Sequence, residues 1–247
     1  MPPSTAGGTP TATPLSARRL LIPRLTYGSM NWALLRHFPW IDTRARFVAK
    51  TPLNGSLLDL GSADGATLAH IAELRPDLKL FAVDKAGQPA KYPAGCEFQQ
   101  ADFERDTLRW EDRSMDTITC THVVEHLHDL SPLMKEAARV LKPGGRAYFE
   151  TPHPKSLVLS SQKGVAAGSF PMNFFDDLTH VRPVSAGALA HWVRSVGLEV
   201  LDSGISRNWI FAAAYPLFIC LPASRKKLTA KLHWLGWSAY LTAQRPL

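Results

Sequence analysis

Short apolar runs and amphipathic stretches take turns along the middle of the chain. Ser56–Leu60 is an apolar run that predicts a buried strand, and from Thr67 to Leu74 the residues Leu68, Ile71 and Leu74 recur at helical spacing. Leu78–Val83 predicts a second strand ending on Asp84, Glu97–Gln100 a third, and Asp116–Cys120 a fourth. Ser131–Leu141 reads as a helix stopped by Lys142-Pro143-Gly144-Gly145, and Arg146–Glu150 as a fifth strand. The pattern lapses after Thr151, then returns as a helix over Ala186–Val196, a strand over Leu198–Ser203 and a last strand over Trp237–Gln244. Strands alternating with helices predict an α/β fold, a doubly wound and mostly parallel sheet covered on both faces.

The flanks differ from this middle. Residues 1–17 are rich in Pro, Gly, Ser and Thr with little to bury, which predicts a disordered tail ahead of one domain over 18–247. Residues 18–50 mix aromatics with arginines and predict short helices broken near Pro39. Two stretches, 152–183 and 205–235, interrupt the alternation; both carry aromatics and aliphatics, so they are expected to form lids over a site. Charge follows the same division: residues 1–50 carry a net +6, 51–150 a net −5 and 151–247 a net +6. The basic flanks admit an anionic partner or a membrane surface, and equally a solvated basic exterior. Cys96, Cys120 and Cys220 are too far apart to suggest a disulfide framework or a zinc site, so no metal is expected. No apolar run reaches membrane-spanning length and the N-terminus lacks an apolar h-region, so no signal peptide and a cytoplasmic location are expected. An N-terminus free of acids until Asp42 also admits a mitochondrial transit peptide.

The predicted first strand runs into Asp59-Leu60-Gly61-Ser62-Ala63-Asp64-Gly65. A glycine turn at the carboxyl end of a parallel strand lets backbone approach a ligand, and the next helix offers free N–H groups there. Asp84, at the end of the second strand, can accept hydrogen bonds from a ribose diol. A dinucleotide enzyme would share both features, yet its GxGxxG fingerprint is absent. Further along come Ala101-Asp102-Phe103, Val123-Val124-Glu125-His126 and Leu141-Lys142-Pro143-Gly144-Gly145.

In this order the segments resemble the class I S-adenosylmethionine-dependent methyltransferases of the small-molecule subgroup, strongly over residues 55–151. The resemblance implies a seven-stranded Rossmann-like sheet with an antiparallel last strand and S-adenosyl-L-methionine as cofactor. It further implies that Asp59, Gly61, Ser62 and Gly65 form the cofactor turn and that Asp84 binds the ribose. Asp102 and Phe103 would flank the adenine, with Thr121 and His122 near the methionine portion. One departure is Ala63, where the family's usual GxGxG has its middle glycine; an alanine methyl is accommodated there if φ stays negative.

Methyl transfer to an alcohol or phenol benefits from a base titrating near neutrality, which histidine provides. The segment Phe174-Phe175-Asp176-Asp177-Leu178-Thr179-His180-Val181-Arg182-Pro183 gathers carboxylates, a histidine and an arginine beside aromatics in the first predicted lid. It resembles a pattern in methyltransferases of quinone biosynthesis and of bacterial polysaccharide assembly. His180 is the candidate base with Asp177 orienting it; the bland alternative is that Asp177, His180 and Arg182 cap the following helix and pin the lid. Tyr27, His126, His153 and Arg182 are candidates to line the acceptor site. In the second stretch, Trp209–Leu221 is apolar and Arg225, Lys226, Lys227 and Lys231 follow it. This reads as a core-facing helix with a solvated basic end, or as peripheral membrane contact through 209–231.

The expected activity is methylation, at oxygen, of a small-molecule acceptor such as a sugar, a quinone or a related metabolite, free or lipid-linked. Rival readings are an RNA or protein methyltransferase and a non-catalytic S-adenosylmethionine-binding protein. Nucleic acid is not expected as a partner, because no aromatic-interleaved basic strip offers a stacking surface. Oligomeric state is not legible.

Overall fold

The computed structural model describes residues 30–159, 172–222 and 224–247. The expectations for the 1–17 tail, for Tyr27 and the rest of 18–29, and for the middle of the first insertion lie outside these residues. Seven strands are formed: β1 (Ser56–Leu60), β2 (Lys79–Asp84), β3 (Glu97–Gln100), β4 (Met115–Thr121), β5 (Leu141–Pro152), β6 (Glu199–Ser206) and β7 (Ser238–Gln244). They make one sheet in the order β3-β2-β1-β4-β5-β7-β6. The first five pair in parallel, while β7 is antiparallel to both β5 and β6. Only β7 therefore runs against the rest, and the carboxyl ends of six strands meet the start of β7 along one edge.

Every residue of β1 is buried, as a central parallel strand with both faces covered requires. Its side chains alternate between two cores. Leu57 joins α1 (Trp32–Leu35), α2 (Thr43–Val48) and α3 (Ala66–Leu74) on one face. Leu58 and Leu60 join α4 (Ser131–Val140) and α5 (Ala186–Ser195) on the other. Trp32 of α1 stacks on His70 of α3 with ring centroids 4.5 Å apart, tying the N-terminal helices to the sheet.

Three features depart from the pattern-based expectations. Lys142–Gly145 does not separate α4 from its strand: Leu141 already pairs with Met115, and the chain passes Gly144, at φ +76°, as an irregular start to β5. Between β2 and β3, where doubly wound sheets commonly carry a helix, there is a 3-10 turn at Pro89–Lys91, and Tyr92 packs against Phe98 in its place. The mixed stretch after β6 is a helical hairpin, α6 (Trp209–Phe218) and α7 (Arg225–Leu235), rather than one core-facing helix. Within α6 only Phe211 and Ala212 are buried.

Candidate functional site

The turn after β1 sits at the carboxyl edge, at the switch point between β1 and β4 where open α/β sheets bind ligands. Gly61 has φ +83°, and a Cβ placed on it would lie 2.1 Å from Val123 Cγ2, so glycine is required there by both conformation and space. Gly65, at φ +81°, is required for a different neighbour: a Cβ would lie 2.4 Å from the Tyr92 ring. The Tyr92 hydroxyl donates to the Ala63 carbonyl (3.0 Å) and shares a 2.8 Å hydrogen bond with Ser62 Oγ. Ser62 is thus buried as a support beneath the turn.

Ala63 overturns the expectation of a negative φ; it is left-handed at +44°. It is held there by its N–H, which donates to Asp84 Oδ2 at 2.8 Å, and by its carbonyl, which accepts from Tyr92 and from Gln88 N. A left-handed non-glycine residue costs about 1 kcal/mol or slightly more. Part of that is offset because alanine restricts the unfolded chain. Ala63→Gly is therefore expected to raise stability by roughly 0.5 kcal/mol, read as a higher urea midpoint at unchanged slope. A lower midpoint would mean that the turn carries no such strain.

Asp84 lies at the edge with Oδ2 held by Ala63 N and Oδ1 by Ala86 N (2.7 Å). Asp102 is at the same edge, paired with Lys85 Nζ at 2.9 Å and accepting from Glu104 N; these bonds, Lys85 first, hold its carboxyl below the usual range. The Phe103 ring, by contrast, is buried in the core beneath α4 and presents little surface to a ligand. Asp59 is fully buried in β1; Thr119 Oγ1 donates to its Oδ1 at 2.6 Å, and burial raises its carboxyl to about 6.

Next to the turn, β4 ends in Thr121 and His122, and His122 is left-handed at φ +55°. This backbone places the imidazole between two buried carboxylates, Glu125 at 3.0 Å from Nδ1 and Glu150 at 3.5 Å from Nε2. Burial alone would lower its pKa, but the two carboxylates outweigh it and raise it to about 9. The side chain keeps 33% of its surface exposed, beside the Trp237 ring and Ser238 Oγ. Glu150 in turn faces Arg44 of α2 at 3.5 Å, receives the Tyr148 hydroxyl at 2.6 Å and receives Ser206 Oγ at 3.0 Å. Arg44 also reaches Thr67 in the first turn of α3. Arg44, Glu150, Tyr148 and Ser206 escaped the sequence reading: one arginine among several in residues 18–50 has no spacing that marks it, and its partners come from β5 and β6.

The described part of the first insertion folds over this edge. Val181 N donates to the Glu125 carbonyl at 2.8 Å, and His126 Nδ1 donates to Thr179 Oγ1 at 2.9 Å. His180 Nδ1 donates to the Phe174 carbonyl at 2.6 Å, and its ring stacks on Phe174 with centroids 4.3 Å apart. Asp177 Oδ2 lies 3.8 Å from His180 Nε2, while Oδ1 accepts from Thr179 N and Oγ1. The His180 ring is therefore oriented chiefly by the Phe174 carbonyl, with Asp177 standing near its other nitrogen. None of Asp177, His180 and Arg182 caps the following helix; Ser185 does. Arg182 is half-buried, its N–H directed at the Glu125 carbonyl at 3.4 Å. His153 caps the 3-10 turn after β5 through Nδ1, which accepts from Lys155 N. Glu125, His126 and His180 each bring a ligand-type atom within 4.8 Å of the others, a group of the kind able to hold a metal ion. It joins two segments distant in sequence, so spacing alone could not reveal it.

A cationic cofactor with a ribose and an ammonium group suits this edge. Asp84 and Asp102 offer carboxylates, and Glu125 Oε2, fully buried, meets no protein donor among the described residues. A family model described as a methyltransferase domain matches residues 33–203. Ubiquinone biosynthesis O-methyltransferases from Pseudomonas syringae pv. tomato and Pseudomonas putida (strain GB-1) are each 27% identical, with 66% of this chain and 70% of the relative covered. Among solved structures, the complex of a Haloferax volcanii methyltransferase with the Trm112 methyltransferase activator matches at TM-score 0.62 and 16% identity, covering 90% of this chain and 98% of that one. An S-adenosylmethionine-dependent methyltransferase from Mesorhizobium loti matches at TM-score 0.58 and 16% identity, over 85% of this chain and 98% of that one.

Proposed function

The chain belongs to the methyltransferase-domain family and takes S-adenosylmethionine as its cofactor, and we propose that it methylates an oxygen of a small hydroxylated acceptor, a quinone-type ring or a sugar, beneath the first insertion. The observation carrying this reading is the state of His180. Because Nδ1–H is given to Phe174, the basic lone pair belongs to Nε2, next to His126 and at the ligand edge. The exposed Phe175 and the Trp237 beside His122 add aromatic surface for a ring.

In this reading the turn at Gly61 and Ala63 receives the cofactor's backbone-facing part, Asp84 its ribose and Asp102 its adenine amine, through a carboxylate now shared with Lys85. Thr121, His122 and Glu125 take the amino-acid end. When bound, the cofactor supplies the electrophilic methyl group. His180 removes the acceptor's proton at Nε2, Asp177 stabilises the imidazolium that results, and His126, His153 and Arg182 line the acceptor side. Residues 172–183 of the insertion, which lie over this edge, exclude water from the transfer. The homologous relatives are named for ubiquinone biosynthesis O-methylation, which supports oxygen as the methylated atom. An acceptor of that kind is apolar, and residues 209–231 would then make peripheral membrane contact.

The test incubates purified protein with methyl-labelled S-adenosylmethionine and extract of its native host, then fractionates the label. Counts in the organic phase or among small hydroxylated metabolites support the reading, and counts in RNA or protein overturn it. His180→Ala should lower turnover by on the order of tenfold or more at unchanged cofactor affinity. Wild-type turnover in that variant would remove His180 as the base.

A further inference from the structure

The geometry points to a binding site for a zinc-class divalent ion, formed by Glu125, His126 and His180. Glu125 and His126 sit on the 3-10 turn Val124–His126 after β4, and His180 comes from the first insertion. One ligand-type atom from each residue lies within 4.8 Å of the other two. Ligands bonded to an ion at about 2.1 Å stand roughly 3.4 Å apart in a tetrahedral site and roughly 4.2 Å apart across an octahedral one. Side-chain shifts of about an ångström or less therefore close the site. It uses no cysteine, so cysteine spacing gave no sign of it.

The hydrogen bonds around the three residues suit them to a cation. His180 Nδ1 lies 2.6 Å from the Phe174 carbonyl, and His126 Nδ1 lies 3.2 Å from the Thr179 carbonyl. A carbonyl can only accept, so each Nδ1 carries the hydrogen and each Nε2 presents a bare lone pair. Metal-binding histidines are held in the same way, the second ring nitrogen donating to a backbone oxygen. Neither Nε2 receives a hydrogen bond among the described residues; Asp177 Oδ2, 3.8 Å from that of His180, is itself an acceptor. Glu125 supplies the charge. Its side chain is fully buried, Oε1 is held by His122 Nδ1 at 3.0 Å, and Oε2 meets no donor among the described residues. A buried carboxylate oxygen is costly to leave without a partner, and a cation provides one. Two imidazoles and a carboxylate favour zinc and its neighbours over magnesium and calcium, which take oxygen ligands. Three protein ligands leave a fourth position for water.

Backbone and side-chain bonds already join the two halves of the site. Val181 N donates to the Glu125 carbonyl at 2.8 Å, and Thr179 Oγ1 accepts from His126 Nδ1 while donating to Asp177. An ion would tie the described end of the insertion to the sheet edge a second time. Ion binding stands apart from the methyl-transfer reading; its consequence for transfer rests on that reading. There His180 Nε2 takes the acceptor's proton and Glu125 meets the cofactor's amino-acid end. An ion on both residues removes the base and the carboxylate together. The metal-free protein is then the form that transfers methyl groups, and zinc holds it idle.

The full chain, carrying Cys220→Ser to remove its exposed thiol, is stripped with a chelator and titrated with Zn2+ against a chromogenic chelator. The titration is run at about pH 7.5, where histidine is neutral, without cofactor or acceptor. About one equivalent should bind, and His126→Ala and His180→Ala should each weaken it by on the order of a hundredfold. Mg2+ in about thousandfold excess should not displace the zinc. Zinc should raise the urea midpoint of the parent chain and leave that of His180→Ala unchanged, while the midpoints without zinc report an intact fold. No binding in competition with the chelator, undiminished binding by either folded variant, or ready displacement by Mg2+ would each overturn the site. Zinc should also slow transfer of the labelled methyl group to acceptor in the host extract, with recovery on adding EDTA. Transfer unaffected by bound zinc would remove His180 as the base while the titration upholds the ion site.

Discussion

Asp84→Ala is expected to weaken S-adenosylmethionine binding by on the order of a hundredfold, measured by titration calorimetry on the purified protein. The magnitude comes from two losses. Asp84 supplies the acceptor oxygens proposed for the ribose diol, and hydrogen bonds to a charged group contribute about 1.5–3 kcal/mol each. It also orders the turn, since its two oxygens hold Ala63 N at 2.8 Å and Ala86 N at 2.7 Å. Without that carboxylate the left-handed Ala63 loses the bond that fixes its N–H, and the turn must be ordered again when the cofactor arrives. Asp84→Asn keeps one acceptor oxygen and should fall between the two. Equal affinity in wild type and Asp84→Ala would sink the assignment of the cofactor site.

Much of this site was legible because its parts are local. β1 and β3 were read at their observed bounds, Ser56–Leu60 and Glu97–Gln100, since punctuating residues flank short runs on both sides. The glycine turn and Asp84 follow from the same segments. Features set by distant chain were not legible. The conformation of Ala63 depends on Tyr92 and Asp84, and motif comparison alone suggested an ordinary φ. Phe103 looked available to a ligand by its place after β3, yet the chain turns its ring into the core. The α6–α7 hairpin escaped because α6 is apolar around most of its circumference, carries Pro216, and so shows no helical period.

Glu150→Gln should destabilise the protein by about 3 kcal/mol near pH 6, because removing one member of a buried charge cluster leaves its partners uncompensated. Arg44 would lose the Glu150 carboxylate at 3.5 Å, and His122 would lose one of the two carboxylates that flank it. Glutamine preserves an acceptor for Tyr148 or Ser206, so the loss reflects charge more than missing hydrogen bonds. The effect has a defined pH window. Burial would raise the Glu150 carboxyl, but Arg44, then His122, hold it well below the usual range. Its contribution is therefore present above the unfolded value of about 4.5 and declines as pH falls below it. His122 is raised to about 9, so its contribution is complete below the unfolded value of about 6.5 and disappears as pH rises through 9. Solvent reaches a third of that side chain and screens part of the pairing, which makes the alkaline loss the shallower of the two. The gap in unfolding free energy between wild type and Glu150→Gln, from urea titrations at several pH values, isolates this network from every other titrating group. It should be widest between about pH 4.5 and 6.5 and narrow on either side. A gap below about 1 kcal/mol at pH 6, or one that widens toward pH 9, would mean that Arg44 and His122 do not depend on Glu150. The same outcome would leave Glu125, at 3.0 Å, as the carboxylate that keeps His122 protonated beside the cofactor turn.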